Sequence, residues 1–414
     1  MSVPRVLHPF AATTRPAADY LEIVRADGCR LWDAEGRSYL DGTASLWYCN
    51  AGPGRRQIAD AVAAQMLQLD VYHTFTRFTN RPEQQLAQLL VDLEPILDAR
   101  VFLTCGGSEA VDTALKLTRA GHKAAGEGGR TVFLSRRYAY HGVMLGGTSA
   151  GGLPANRHPF GPLWPDIFQV ERDSLEAMRA AVEYHGPERI AAIIAEPVVG
   201  ARGVFPPPEG YLQGPRELCD QSGALLIFDE VITGFGRLGS WFGAHHYGVT
   251  PDVITFAKGV TSGYLPLGGV IVGARLRAWL EADDTYILTH GGTYAGHPTC
   301  CAAGIANLEI LRSEQLPDRA RERGRRLRAG LEGLVGRPGV VEVRGEGLMQ
   351  ALGLSPKLKA QAFSEAPLSR GIIARALPYS NSIAYSPPLI VSEREIDELL
   401  AATEATLADV AAVA

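Results

Sequence analysis

A lysine, an acid pair, a glycine-serine turn, a tyrosine and a threonine stand where chemistry, and not packing alone, could account for them. Lys258 lies between Ala257 and Gly259, directly after the apolar run Val253–Phe256. Desolvation there would lower its pKa and let the amine form a Schiff base with a carbonyl; the alternative is a lysine snorkelling from a sheet rim. Asp229-Glu230 follows Leu225–Phe228. An acid pair at a strand end can hold a metal, exchange protons, bind a protonated ring nitrogen, or sit solvated in a loop. Gly106-Gly107-Ser108 opens a helix, whose free N–H groups suit a phosphate, though such a turn also serves as a plain cap. Tyr140, in Tyr140-His141-Gly142, can stack on a flat ring or fill a loop. Thr293, in His290-Gly291-Gly292-Thr293-Tyr294, is a weaker phosphate candidate.

The elements that must carry these residues follow from hydrophobic patterning. Apolar strands are predicted at Val101–Thr104, Thr131–Leu134, Ile190–Ala195, Leu225–Phe228, Val253–Phe256 and Val270–Val272. Helices are predicted between several of them, at Ser108–Arg119, Ser174–Tyr184 and Leu212–Gln221. Strands apolar on both faces and separated by helices imply an α/β fold with a mostly parallel sheet covered by helices. Before it, short strands are predicted at Tyr20–Arg25, Arg30–Asp33 and Ser38–Asp41, then helices over Gln57–Leu69 and from Pro82. After it, the pattern predicts helices at Cys300–Leu311 and Pro317–Leu334, short strands near Val340–Val343, Met349–Leu352 and Ile372–Ala374, and a last helix from Glu393. The reading is an N-terminal segment (1–56) that contributes to a small domain, a large cofactor-binding domain (57–305) and a C-terminal small α+β domain (306–414).

Open parallel sheets bind ligands at the carboxyl ends of their strands, which is where the candidate residues fall. A phosphate cup, an aromatic stacker, a carboxylate and a Schiff-base lysine are together the needs of one cofactor, pyridoxal phosphate: its dianion wants N–H donors, its pyridinium a carboxylate, its aldehyde an amine. The stretches LIFDEVITGFGRLG from Leu226 and FAKGVTSGYLPLGG from Phe256, with GGSEAVDTALKLTR from Gly106 and AYHG from Ala139, carry a further resemblance. The chain resembles the class III pyridoxal-phosphate aminotransferases of fold type I (aspartate-aminotransferase-like), in the amine and omega-amino acid:pyruvate branch, from about Leu31 to Leu399. The resemblance implies that Lys258 forms the Schiff base and shuttles the substrate's proton. It implies that Asp229 pairs with the ring nitrogen, that Val231 and Tyr140 cover the ring faces, and that Gly107 and Ser108 bind the phosphate. Thr293 would reach the phosphate of a neighbouring subunit, which requires a homodimer or a dimer of dimers. His141 and Glu196 would lie beside the cofactor, and Trp47 and Arg375 beside the substrate.

The implied reaction moves an amino group from an amine or omega-amino acid to a keto acid by ping-pong kinetics. Related 2-oxoglutarate enzymes carry an arginine two residues past the equivalent of Ser382, where this chain has Ala384, and Arg375 is left to grip one carboxylate. The resemblance thus favours pyruvate; a 2-oxoglutarate enzyme, a decarboxylase and an aminomutase are the alternatives on this scaffold. The chain departs from the family pattern in a longer loop around Pro378-Tyr379, in Gly106 for serine, and in Arg202 for glycine.

Composition agrees. With 414 residues, 46% hydrophobic and 21% charged, a disordered or collagen-like chain is excluded. Forty Lys+Arg against 45 Asp+Glu give a net charge of −5, with no global basic character to attract nucleic acid. The dense run Arg319, Arg321, Arg323, Arg325, Arg326 and Arg328 reads as a solvated helix face. No apolar run spans a bilayer, and Met1–Phe10 has no signal-like apolar stretch. The six cysteines form no Cys-x-x-Cys pair, so free thiols in a cytoplasmic setting are expected, with neither disulfide nor metal site.

Overall fold

The computed structural model describes residues 4–413; Met1–Val3 of the N-terminal reading, and Ala414, lie outside the described residues. The chain opens with β1 (Ile23–Asp27), β2 (Arg30–Asp33) and β3 (Ser38–Asp41), joined antiparallel in that order. The central sheet takes β4 (Arg100–Thr104), β5 (Val132–Arg136), β6 (Ile167–Val170), β7 (Ile190–Ala195), β8 (Leu225–Asp229), β9 (Val253–Phe256) and β10 (Gly268–Val272), in the order β4-β10-β9-β8-β7-β5-β6. The C-terminal part adds β11 (Val340–Glu346), β12 (Met349–Leu354), β13 (Ile372–Ile373), β14 (Arg375–Leu377) and β15 (Ser382–Tyr385). Four of these form a sheet in the order β11-β12-β15-β14, while β13 pairs parallel with β3. The first strands are thereby stitched to the end of the chain.

The central strands show why they read as unbroken apolar runs. Leu226, Phe228, Ile254 and Phe256 enter the larger core cluster. Their neighbours Leu225, Ile227 and Val253 enter a second one, shared with Ala110, Val111, Ala114 and Leu115 of the helix Gly107–Ala124. Successive side chains point to opposite faces, and both faces are covered by packed elements.

Three features depart from the sequence reading. The edge strand β6 was not expected; its four residues include the exposed Phe168, too short and mixed a pattern to stand out. Nor were β14 and β15 expected as strands, since their identity comes from pairing with each other and, for β15, with β12. The arginine-rich helix Leu316–Glu332 is not simply solvated: Arg323 pairs with Glu393, and Arg326 with Glu393 and Asp397. Those charges fasten it to the final helix, Glu393–Val413. Within the central sheet, β10 runs antiparallel to both β4 and β9, because the short link 257–267 holds no crossover helix that could return the chain parallel.

Arg237 joins the parts of the chain. It is fully buried and donates from Nη1 to the carbonyls of Leu348 (3.1 Å) and Pro387 (2.6 Å), and from Nη2 to Asn50 Oδ1 (2.7 Å). Asn50 Nδ2 in turn donates to the Phe235 carbonyl (2.8 Å). Burial pulls the guanidinium down to about 10, still charged at neutral pH. Arg237→Ala strands several buried acceptors and opens a cavity, and is expected to cost about 3 kcal/mol; a fall in the denaturant midpoint measures it, and an unchanged midpoint would refute this role.

Candidate active site

The strands β4, β5, β7, β8 and β9 all end at one edge of the central sheet, and the segment after each contributes to one cavity there. Its volume is about 140 Å³, and it opens to solvent. Gly107, Ser108, Tyr140, His141, Glu196, Asp229, Val231 and Lys258 line it together.

Each wall has a local cause. The helix Gly107–Ala124 begins at the cavity, so its first N–H groups and positive dipole end face inward. Ser108 Oγ accepts from Val143 N at 3.0 Å. The chain passes Ser108 through Gly142, whose φ is 96° and whose Cβ, were there one, would lie 2.8 Å from Ser108 Cα; only glycine permits that approach. On the far side Lys258 sits at a φ of 46°. Gly259 follows it against Asn50, where a Cβ would come within 2.6 Å of Nδ2, so the turn after β9 is locked by packing.

The charges are arranged around the lysine. Burial in the cavity lowers the Lys258 ammonium to about 8, although Asp229 and Glu196 act to raise it; Arg375 adds to the lowering. Asp229 Oδ2 is 2.7 Å from His141 Nδ1, both side chains being buried. A carboxylate only accepts, so Nδ1 carries the hydrogen. Glu196 is fully enclosed, and burial pushes its carboxyl up; it accepts from the backbone N–H of Tyr140 (2.9 Å) and of Gly200 (3.0 Å). It therefore fastens the loop after β7 to the loop after β5. Burial also raises the Tyr140 phenol and lowers the Arg375 guanidinium.

The remaining expected residues lie off the cavity wall. Trp47 is buried and belongs to the apolar cluster that also holds Val198 of the cavity wall. Arg375 is half-buried on β14, and its Nε is buried without a hydrogen-bond partner. Thr293 is exposed and absent from the wall. Its segment is nonetheless anchored, since His290 bonds Thr113 and Lys116 of the helix Gly107–Ala124, each at 2.9 Å. The wall also includes Val111, Val198, Ile232 and Thr233, which the sequence reading did not select. Their apolar or small side chains give no chemical signal; only their place two to four residues past a selected acid, or one helical turn past Ser108, could have pointed to them.

The donor set fits a flat phosphorylated pyridine carrying an aldehyde. A helix N-terminus can take the phosphate, a carboxylate the ring N–H, an aromatic residue a ring face, and a lysine of lowered pKa the aldehyde. Among the described residues Asp229 forms no ion pair with a lysine or arginine; its ion-pair partner is His141.

Comparison with known proteins agrees with this chemistry. The pattern of the family "Aminotransferase class-III" matches residues 12–407. The chain is 39% identical to a beta-alanine–pyruvate aminotransferase of Pseudomonas aeruginosa, over 84% of this chain and 82% of the relative. It is 37% identical to a diaminobutyrate–2-oxoglutarate transaminase of Halomonas elongata, over 92% and 89%. Among solved structures, an (S)-enantioselective omega-transaminase from Thermomicrobium roseum superimposes with a TM-score of 0.94 at 39% identity, covering 98% of this chain and 96% of that one. An amine transaminase from an uncultivated Pseudomonas species, in its PLP-bound form, gives 0.94 at 37% identity and 99% coverage of both.

A lysine held below its ordinary 10.5 opposes folding at neutral pH. Between about 8 and 10.5 the unfolded chain binds the extra proton, so this opposition fades as pH rises through that window. In cofactor-free protein, reductive labelling of Lys258 by a small aldehyde should therefore rise with a midpoint near pH 8, read by peptide mass. A midpoint near 10 would show that the amine is solvated.

Proposed function

The chain belongs to the class III aminotransferases, pyridoxal-phosphate enzymes of fold type I, and from that premise we propose that it moves an amino group from an amine or omega-amino acid to pyruvate in two half-reactions. When bound, pyridoxal phosphate supplies an aldehyde that takes up amines and a protonated ring that draws electrons from the substrate's Cα–H bond. The chain's own residues do the rest in this reading. Gly107, Ser108 and the helix N-terminus hold the phosphate. Tyr140 and Val231 confine the ring, and Asp229, oriented by His141, keeps the ring nitrogen protonated. Lys258 Nζ would hold the aldehyde, and its amine would move the proton at the substrate's Cα. Its lowered pKa suits both tasks at neutral to mildly alkaline pH.

The acceptor reading is carried by the β14–β15 hairpin. Arg375 stands directly across from Ala384, so the hairpin offers one guanidinium and not two. One fork grips one carboxylate, which supports a monocarboxylate such as pyruvate. The beta-alanine–pyruvate relative carries pyruvate in its name and supports the same choice, and Trp47, in the cluster with Val198, would close the substrate side.

A homodimer, single or doubled, is part of the proposal. Thr293 can serve a phosphate only in a neighbouring subunit. Tyr294 beside it is 65% exposed, and Val71, Tyr72, Phe75 and Phe78 are also exposed on the segment that Thr74 and Asn80 bind to Ala295 and Gly296. An apolar surface of that kind supports burial against a second copy. The small domain would combine residues 1–56 and 306–414 around the large domain 57–305, a division supported by the β3–β13 pairing. Free cysteines, mostly buried, support a reducing cytoplasmic setting, and no described helix is long and apolar enough to cross a membrane.

Steady conversion of an amine only when a keto acid is present tests the reaction class; turnover without acceptor, with carbon dioxide released or an amino group moved within one molecule, would overturn it. Lys258→Ala should fold, yet lose transamination by a factor of 10⁴ or more, as expected when nucleophile and base are lost together. Arg375→Ala should slow the pyruvate half-reaction roughly tenfold to a hundredfold, with a far smaller effect on a simple amine; equal losses would remove Arg375 from carboxylate binding. Sedimentation should give at least a dimer, and a monomer that is fully active would refute the role of Thr293.

A further inference from the structure

Arg202 has a setting that the reaction as described does not use. It lies at the tip of the tight turn after β7, where Gly203 N and Val204 N both donate to the Gly200 carbonyl at 3.1 Å. Its guanidinium carbon stands 4.4 Å from the ring centroid of Tyr138 and 4.4 Å from that of Tyr379. No hydrogen bond or ion pair involves Arg202 among the described residues, and its Nη1 is buried without a partner. The two flanking rings hold the guanidinium in place and leave Nη1 without an acceptor. A charged donor in that state gains most from a carboxylate, which can meet two N–H groups at once.

The turn is held rigidly beside the cavity. Arg344 donates to the Gly203 carbonyl from Nε (3.2 Å) and Nη2 (2.9 Å), and from Nη2 to Ser382 Oγ (2.6 Å). At its start, Glu196 binds Gly200 and Tyr140 together. Tyr138 is two residues before Tyr140, which lines the cavity, and Tyr379 is four residues after Arg375 of β14, so Arg202 is held between the segment after β5 and the segment after β14. The two arginines differ in depth. Arg375 acts electrostatically on Lys258 and Tyr140, whereas Arg202 acts on neither; the groups it senses are Tyr138 and Tyr379.

Resting on the aminotransferase reading above, we infer that Arg202 binds the carboxylate of an omega-amino acid donor, the carboxylate remote from the reacting amino carbon, while Arg375 serves the carboxylate next to the reacting carbon of the keto acid. The donor class is thus an amine with a distal carboxylate in preference to a plain alkylamine. Tyr138 and Tyr379 are positioning residues for Arg202.

The test follows the donor half-reaction of the holoenzyme by the change in the cofactor's visible absorbance, with omega-amino acids of increasing length and n-alkylamines of matching length. At one length or more the wild type should bind the omega-amino acid more tightly than its alkylamine. Arg202→Ala should raise the apparent Kd for that acid roughly tenfold to a hundredfold, the worth of one charge-assisted pair, and at least tenfold more than for the alkylamine. Arg202→Lys, which restores charge without the planar fork, should recover part of the loss. Equal losses on both donor series would reduce Arg202 to a structural role. A preference abolished by Arg375→Ala but kept in Arg202→Ala would hand the remote carboxylate to Arg375. Alanine separates the two levels: if the wild type converts alanine but prefers no omega-amino acid, this inference fails and the transaminase reading stands; if it converts no donor, both fall.

Discussion

The carboxyl ends of β4, β5, β7, β8 and β9 share one edge of the central sheet because β10, running the other way between β4 and β9, restores a common direction. That alignment is the constraint on which the site depends. A strand end frees a backbone to turn, and at this edge the turns carry Gly107 and Ser108, Tyr140 and His141, Glu196, Asp229, and Lys258 into one space. The strands themselves are buried on both faces, so the edge cannot shift without opening two cores. Rigid strands and tight turns fix where the reactive atoms stand before any ligand arrives, which is the preorganisation that catalysis needs.

Around that edge, the buried charges are placed to balance one another. Lys258 loses solvation and is lowered to about 8, yet faces Asp229 and Glu196, which act in the opposite direction. Glu196 itself is spent on two backbone N–H groups, so it serves more as a brace between loops than as a free base. Glu230, next to Asp229, is similarly engaged: it accepts from Ala244 N at 2.8 Å and from Thr233 Oγ1 at 2.9 Å, and burial raises it to about 7. Of the adjacent acids, only Asp229 lines the cavity, and the division of labour between them is decided by which backbone groups each one caps.

Buried arginines tie the lobes to this framework. Arg237 collects acceptors from residues 50, 348 and 387, and Arg344 links the turn after β7 to β15. A guanidinium suits this work because it offers several N–H groups in a fixed fork and stays charged even when burial lowers it. The same chemistry at Arg375 and Arg202, with N–H groups left unpartnered, leaves capacity for a ligand.

By itself the sequence determined the local and the chemical. Two-faced apolar runs specify buried strands, helix-period segments specify their cover, and the types and order of Lys258, Asp229, Tyr140 and Gly107-Ser108 specify a pyridoxal-phosphate chemistry, because these signals are short in range and each residue's chemistry is its own. Tertiary structure alone decided what depends on neighbours distant in the chain. It made β15 a strand beside β12, and spent the basic face of Leu316–Glu332 on Glu393 and Asp397. It kept Trp47 off the cavity wall, left Thr293 on the surface, and set Arg202 between Tyr138 and Tyr379. In each case the outcome is fixed by packing and charge pairing between segments tens to hundreds of residues apart, which no local pattern encodes.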